Sequence, residues 1–161
     1  RWQRALGLPL GRRLAPIPAA PDEAPPSAAP APRGTVRLAV VGAHLRGMPL
    51  HGQLVEAGAA FVAETATSAR YRLYALADTE PAKPGLVRTA EGGVPIALEL
   101  YDVPLGRFGA FVAQVPPPLG IGNVELADGS WVKGFVCAPC ALAAASDISA
   151  HGGWRAWLAE R

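Results

Sequence analysis

A single histidine stands at the boundary between two patterned segments of this chain. In "VVGAHLRGMPLHGQL", residues 40–54, a β-rich run ends at Gly42, His44 follows, and a helix-like pattern begins. Imidazole titrates near neutral pH, so His44 is a candidate proton donor. A helix that starts there also presents free N–H groups, which bind anions. An ordinary loop histidine at a strand end is the alternative, and the residues alone leave both interpretations open.

Other polar and small residues offer weaker signals. An isolated cation on a strand or in a turn usually faces solvent, and a strand tyrosine usually packs in the core or at its rim. Glycines in "PLGIG" suit either a tight bend or the close approach of a ligand. The residues that these patterns leave as candidates for a pocket wall are Arg46, Tyr74, Lys83, Gly120 and Lys133.

The two cysteines form the motif "CAPC", Cys137 and Cys140. This spacing occurs in redox pairs and in half of a zinc site. Zinc needs two more ligands, and His51 and His151 lack metal-type spacing to each other. The pattern favours two unpaired thiols in or beside the core, and it predicts no metal and no cofactor. So few cysteines are typical of a reducing compartment, which predicts a cytoplasmic protein.

Length and composition limit the possible classes of protein. The chain has 161 residues, of which 50% are hydrophobic and 17% charged, with a net charge of +2. That is enough for one domain with a core, but not two. The basic residues are scattered, which argues against nucleic acid, and no apolar run reaches the length of a membrane span. The first residue is arginine and no signal-peptide pattern follows, so we expect a piece of a longer protein.

Residues 1–34 differ from the remainder. "RWQRALGLPLGRRL" is compatible with one short helix, and "APIPAAPDEAPPSAAPAPRG" is rich in proline and alanine, as linkers are. From residue 35 the pattern predicts a strand, a helix, four strands, a helix, two strands and a final helix. Gly92-Gly93 is predicted to join two of these strands as a hairpin. Helices that do not alternate regularly with strands favour an α+β fold, and so many short strands favour a small mixed β-barrel with a few flanking helices.

Several motifs in the same order resemble the C-terminal domain of allophanate hydrolase, from about Val36 to Leu158. They are "LAVVGAHLRGMPLHGQL", "YRLYAL", "KPGLVR", "PPPLGIGNVELADGSWVKGF" and "DISAHGGWRAWL". The resemblance implies a fold like that of the gamma-glutamylcyclotransferases. It also implies that residues 1–34 are the tail of a preceding amidase domain plus a linker, and that residues 35–161 are the domain itself.

The resemblance further implies an activity. In allophanate hydrolase the amidase releases ammonia from allophanate, and the C-terminal domain decarboxylates the product, N-carboxycarbamate, towards carbamate and then ammonia. The family histidine falls on His44. The "GAHLRG" loop, with Gly42, Ala43 and Leu45, is expected to line the pocket, helped by Arg46, Lys83 and Lys133. Cyclotransferases use a carboxylate after the second helix, whereas this chain has Gln114 there.

Two other functions remain open. In the first, the domain is a non-catalytic module that docks or dimerises with an amidase. In the second, it is a separate cyclotransferase-like enzyme, and the missing acid argues against this function. The expected partners are a small anionic substrate and an amidase domain or subunit, with homo-oligomers allowed and no nucleic acid or membrane. A pocket that closes around His44 favours the decarboxylating enzyme and gives no support to the docking module.

Overall fold

The structure is a computed structural model that describes residues 31–161. The predicted tail and linker therefore lie almost entirely outside the described residues. The helices and strands follow in the order β1 (Thr35–Val40), α1 (His51–Glu56), β2 (Ala60–Ala66), β3 (Tyr71–Ala75), β4 (Pro84–Arg88), β5 (Ala97–Pro104), α2 (Leu105–Val112), β6 (Leu119–Glu125), β7 (Trp131–Cys137), β8 (Ser146–Asp147) and α3 (Trp154–Ala159).

This order matches the predicted succession of strands and helices, with one addition. The short strand β8 and the two 3-10 turns beside it, Pro139–Ala144 and Ser149–His151, carry no periodic sequence pattern and were not predicted. The α+β class is confirmed. Among the helices of residues 31–161, none is both long enough and apolar enough to cross a membrane.

A five-stranded mixed sheet forms the body of the domain, in the order β2-β5-β1-β7-β6. The central strand β1 runs antiparallel to β5 and parallel to β7. The outer strands of this sheet meet each other at a bridge between Thr67 and Leu126, where the Ser68 N–H donates to the Glu125 carbonyl at 2.9 Å. The sheet therefore curls so that its two edges meet at this bridge, and the antiparallel sheet β4-β3-β8 completes the fold.

The core lies inside the curled sheet and under the helices. Sequence alternation on β1 predicts that only every second residue faces the core. In the structure Leu38, Ala39 and Val40 are all buried, because the second half of β1 has neighbours on both faces. The helix α3 buries Trp154 and packs Trp157 and Leu158 against the core, as its apolar spacing predicts.

One local prediction is wrong. Gly92-Gly93 is not a hairpin turn, because β4 pairs with β3 while β5 pairs with β1 and β2. Instead the chain crosses between the two sheets there. A Cβ on Gly93 would lie 2.7 Å from the Tyr71 amide nitrogen, so the glycine permits a close backbone approach. Leu105 is 61% exposed, because α2 begins at that residue and turns it outward.

Candidate active site

The loop that carries His44 is folded on itself between β1 and α1. The Leu45 N–H donates to the Gly42 carbonyl at 2.9 Å, and the Leu50 N–H donates to the Ala43 carbonyl at 2.8 Å. The imidazole Nδ1 of His51, the first residue of α1, lies 3.1 Å from the His44 carbonyl oxygen. These bonds bring both ends of the loop together, so His44 has one defined position.

The His44 ring is held on three sides. It stacks on the Phe135 ring of β7 with centroids 4.8 Å apart and an interplanar angle of 17°. The Phe111 ring of α2 makes an edge contact with it, and the two ring centroids are 5.5 Å apart. On the polar side, His44 Nε2 lies 2.8 Å from Oε1 of Gln53 in α1. The ring therefore has apolar walls and one fixed hydrogen-bond partner.

Burial has a direct effect on the charge of this histidine. It disfavours the imidazolium form and lowers the pKa of His44 below its ordinary value of 6.5, although the bond to Gln53 acts in the opposite direction. The positive charge of Lys83 lowers the pKa of His44 further. The free protein therefore holds His44 mainly neutral at pH 7.

A cavity of about 190 Å³ opens beside His44. It lies between the His44 loop, the segment that leads into β4, and the segment that follows α2. Among the described residues that line it, Lys83 supplies the positive charge and Glu80 a solvent-exposed negative one. The other residues of its wall are Val40, Val41, Gly42, Ala43, Leu50, Gln53, Pro81, Pro84, Gln114, Val115, Pro116, Leu119 and Phe135.

Gly42 is required where two of these walls touch. A Cβ built on Gly42 would lie 2.2 Å from both Cδ and Cγ of Pro84, a distance that no real contact reaches. The proline ring is rigid and attached to the backbone, so it cannot move aside without moving β4. The glycine thus allows the end of β1 to lie directly against the segment that carries Lys83.

The structure brings part of the predicted set to this cavity: Gly42, Ala43, His44 and Lys83. The other predicted residues lie elsewhere. Leu45 is buried in the core at 3% exposure, and Gly120 lies on β6 next to a lining residue. Tyr74 is on β3 opposite Gly85. Lys133 is exposed and donates to Asn123 Oδ1 at 2.8 Å.

Arg46 turns away from the cavity. Its side chain bonds to Glu99 and Glu64 and lies over the Phe61 ring, with the guanidinium carbon 3.9 Å from the centroid. Arg46 was predicted to help line the pocket because it is only two residues from His44 in sequence. In space, the residues on either side of the buried Leu45 point to opposite faces of the loop.

Several residues of the site were not predicted. Gln53 and Phe135 contact His44 through tertiary packing, and the sequence offers no signal for either contact. Gln114 was noted only as the residue that stands where cyclotransferases have an acid. Glu99 had a visible signal, since it is a carboxylate within the apolar strand "IALELYDV".

The two cysteines are free thiols in different environments. Cys137 is buried, and burial raises its pKa, which is the opposite of what an activated thiol needs. Cys140 is exposed. Within residues 31–161 no three His, Cys, Asp or Glu side chains gather in a way that would hold a metal ion.

Comparison with known proteins identifies relatives of the whole described domain. The chain is 48% identical to urea amidolyase of Saccharomyces cerevisiae over 131 residues, which cover 79% of this chain but 7% of that protein. The solved structure of Kluyveromyces lactis allophanate hydrolase matches with a TM-score of 0.76 at 48% identity, covering 78% of this chain and 21% of that one. This chain therefore corresponds to a small part of the length of these relatives.

A third relative is nearly the size of this domain. The crystal structure of c4763, an Escherichia coli protein, matches with a TM-score of 0.73 at 35% identity and covers 79% of this chain and 98% of that one. The expected gamma-glutamylcyclotransferase-like α+β fold is confirmed by these structural neighbours. The profile of the family "Allophanate hydrolase C-terminal domain" matches residues 36–159. This chain belongs to the family of allophanate hydrolase C-terminal domains.

Proposed function

We propose that this domain decarboxylates N-carboxycarbamate, the product that an amidase makes from allophanate during urea degradation. The products are carbamate and carbon dioxide, and carbamate then breaks down to ammonia and a second carbon dioxide. The observation that carries the proposal is the cavity in which His44 and Lys83 are combined in a member of this family. A cavity that presents a polar, titratable side chain beside a lysine supports an enzyme over a module that only docks.

The chemistry assigns a task to each of these two residues. N-carboxycarbamate is a dianion in which two carboxylates share one N–H. Cleavage of one C–N bond releases carbon dioxide and leaves the bonding electron pair on nitrogen, so one proton must arrive there to give carbamate. His44 supplies this proton as general acid, and Lys83 pairs with the carboxylate that stays behind.

Proton supply from a mainly neutral histidine needs a further step. A dianion that enters the cavity favours the imidazolium form and raises the pKa of His44, which burial and Lys83 lower in the free protein. His44 therefore takes up a proton as substrate binds and returns it to the substrate nitrogen in the reaction. Such a group responds to charge that develops only in the transition state, as catalysis requires.

The neutral amide of Gln114 supports a dianionic substrate. It lines the cavity where cyclotransferases carry an acid, and its Nε2 donates to the Ala110 carbonyl at 3.2 Å. A carboxylate at this place would repel two like charges on the substrate. The absence of an acid at this position therefore disfavours cyclotransferase chemistry.

We also propose that residues 35–161 are the functional domain and that residues 1–34 are a tail and linker from a preceding amidase. The amidase, in the same protein or as a separate subunit, is the natural partner because it makes a labile substrate that must be used quickly. We also propose a cytoplasmic location, since Cys137 and Cys140 are both free thiols, as is usual in a reducing compartment.

The test measures ammonia and carbon dioxide released by an amidase acting on allophanate, with and without this domain. We expect the wild-type domain to accelerate release of the first carbon dioxide, which comes from N-carboxycarbamate, above the spontaneous rate. Replacing His44 by asparagine is expected to lower turnover by roughly 10²–10⁴-fold. His151→Asn is the matched control, because His151 pairs with Glu160 away from the cavity. A His44→Asn domain that is folded and as active as wild type contradicts the proposal.

A further inference from the structure

A buried carboxylate lies on the far side of the His44 loop, outside the proposed chemistry. Glu99, on β5, is 1% exposed. The residues on either side of it in β5, Leu98 and Leu100, belong to the core. A carboxylate is costly to bury unless its charge is balanced and its oxygens accept hydrogen bonds. Its retention in this strand therefore calls for partners.

Four hydrogen bonds supply them. Oε2 accepts from the Arg46 backbone N–H at 2.9 Å and from the Tyr101 hydroxyl at 2.8 Å. Oε1 accepts from Arg46 Nε at 3.1 Å and from Arg155 Nη2 at 2.8 Å. Burial favours the neutral acid, but these bonds outweigh it and lower the pKa of Glu99 to about 2. We call Arg46, Glu99, Tyr101 and Arg155 the Glu99 cluster.

The cluster holds the backbone of the catalytic loop from both sides of one residue. Glu99 accepts the Arg46 N–H, and Arg155 Nη2 donates to the Arg46 carbonyl at 2.8 Å. Arg155 comes from α3, at the other end of the chain, and is itself bound to Glu99. The loop is thus tied at residue 46 to β5 and α3 at once.

Arg46 follows His44 with only the buried Leu45 between them. His44 is already fixed on its other side by Gln53 and by the contact of His51 with its carbonyl oxygen. Without the anchor at Arg46, the loop keeps its internal hydrogen bonds but loses its ties to β5 and α3 directly after Leu45. The stacked position of the imidazole on Phe135 then has fewer constraints.

We infer that Glu99 is a positioning residue that sets the location of His44 by anchoring the backbone of Arg46. This inference rests on the proposed function of His44, because the positioning matters for catalysis only if His44 transfers the proton. Arg46 and Arg155, which sequence or exposure would suggest as substrate ligands, act in this arrangement as parts of the anchor.

The test variant is Glu99→Gln. It keeps the size of the side chain. One of the two accepting oxygens becomes an NH₂ group, which cannot accept hydrogen bonds from the donors around it. The matched control is Asp102→Asn on the same strand. Asp102 is also mostly buried and also pairs with an arginine, Arg37, at 2.9 Å, but it lies away from the loop. Both changes remove one buried, arginine-paired carboxylate.

Two readouts are compared with wild type. The first is turnover of N-carboxycarbamate, for which we expect kcat of Glu99→Gln to fall by about 10²-fold with a smaller change in KM. The second is the NMR signal and titration of the His44 ring, which we expect to move in Glu99→Gln and not in Asp102→Asn. An unmoved His44 signal, or a loss of kcat no larger than in the control, overturns the inference.

A second pair of variants applies if Glu99→Gln does not fold. Arg155→Gln removes the donor to the Arg46 carbonyl, and Arg88→Gln removes the arginine of the exposed pair with Glu125. We expect Arg155→Gln to shift the His44 signal and Arg88→Gln to leave it unchanged. The ring readout needs no substrate. If wild type proves inactive, the proposed function fails, while the His44 signal still decides whether Glu99 positions the loop.

Discussion

Nε2 of His44 lies 2.8 Å from Oε1 of Gln53, nine residues further along the chain. A carbonyl oxygen accepts, so Nε2–H donates to Gln53 and the neutral ring carries its lone pair on Nδ1. Gln53 belongs to α1 and therefore fixes the tautomer from a rigid element. In the proposed mechanism, Nδ1 is then the ring atom that exchanges a proton with the substrate.

The titration of His44 follows from this environment. We expect an NMR titration of the ring to give a pKa below 6.5 in the free protein, because burial and Lys83 disfavour its charge. Gln53→Leu is expected to lower the pKa of His44 further, since the bond to Gln53 raises it. Malonate, a stable dianion with CH₂ in place of the substrate N–H, is expected to raise it. A His44 pKa that malonate leaves unchanged contradicts binding of a dianion beside the ring.

Lys83 and Lys133 provide a direct comparison of two lysines. Lys83→Met is expected to raise KM by about 10- to 100-fold, because the proposed mechanism has Lys83 donate a charged hydrogen bond to the substrate. Lys133→Met is expected to leave KM unchanged, since Lys133 is exposed and bonded to Asn123. The Lys83 change is also expected to raise the pKa of His44 by removing a nearby positive charge. Equal KM values for the two variants contradict the role given to Lys83.

Alanine substitutions at Gly42 and Gly52 distinguish the effect of a steric clash from the effect of helix propensity. Gly42→Ala places a methyl group 2.2 Å from the Pro84 ring, so we expect a loss of about 1–3 kcal/mol in the free energy of unfolding. Gly52 is exposed within α1 and has nothing within 4 Å of its Cβ position. Gly52→Ala is expected to gain roughly 0.5–1 kcal/mol from helix propensity. Denaturant unfolding of both variants checks this, and a fully stable Gly42→Ala protein rules out the close contact.

Acid stability depends on Glu99. Its folded pKa of about 2 lies below its ordinary value of 4.5, so the folded state holds the ionised form more strongly than the unfolded state does. The resulting stabilisation is fully present above pH 4.5 and is lost as pH falls from 4.5 towards 2, by about 3 kcal/mol. Unfolding free energies measured across that range are expected to fall more steeply for wild type than for Glu99→Gln. Equal slopes contradict the assigned pKa.

The domain boundary is testable by truncation. Described core residues begin at Leu38, and Gly34 accepts a hydrogen bond from the Leu105 N–H at 2.8 Å. A chain that begins at residue 31 keeps all of these contacts, so we expect it to have the same Tm as the full chain. A clear drop in Tm on removing residues 1–30 shows that they stabilise the fold.

Local patterns determined much of the fold because they depend on neighbours in sequence. Alternation on β1 and the apolar spacing of α3 each predicted an element that the structure contains. The hairpin at Gly92-Gly93 failed for the same reason, since a glycine pair reports backbone freedom and not which strands pair. Pairing of β5 with β1 joins residues far apart in sequence.

The sequence by itself determined the family and singled out His44, through several motifs in a fixed order around a strand that ends in glycine. Only the tertiary structure decided which groups surround that histidine. Gln53, Phe135 and Lys83 come to His44 from α1, β7 and the segment before β4, while Arg46, its near neighbour in sequence, is drawn away to Glu99. The physical reason is that a buried carboxylate must satisfy its charge and its hydrogen bonds, and this need orients a side chain more strongly than its position along the loop.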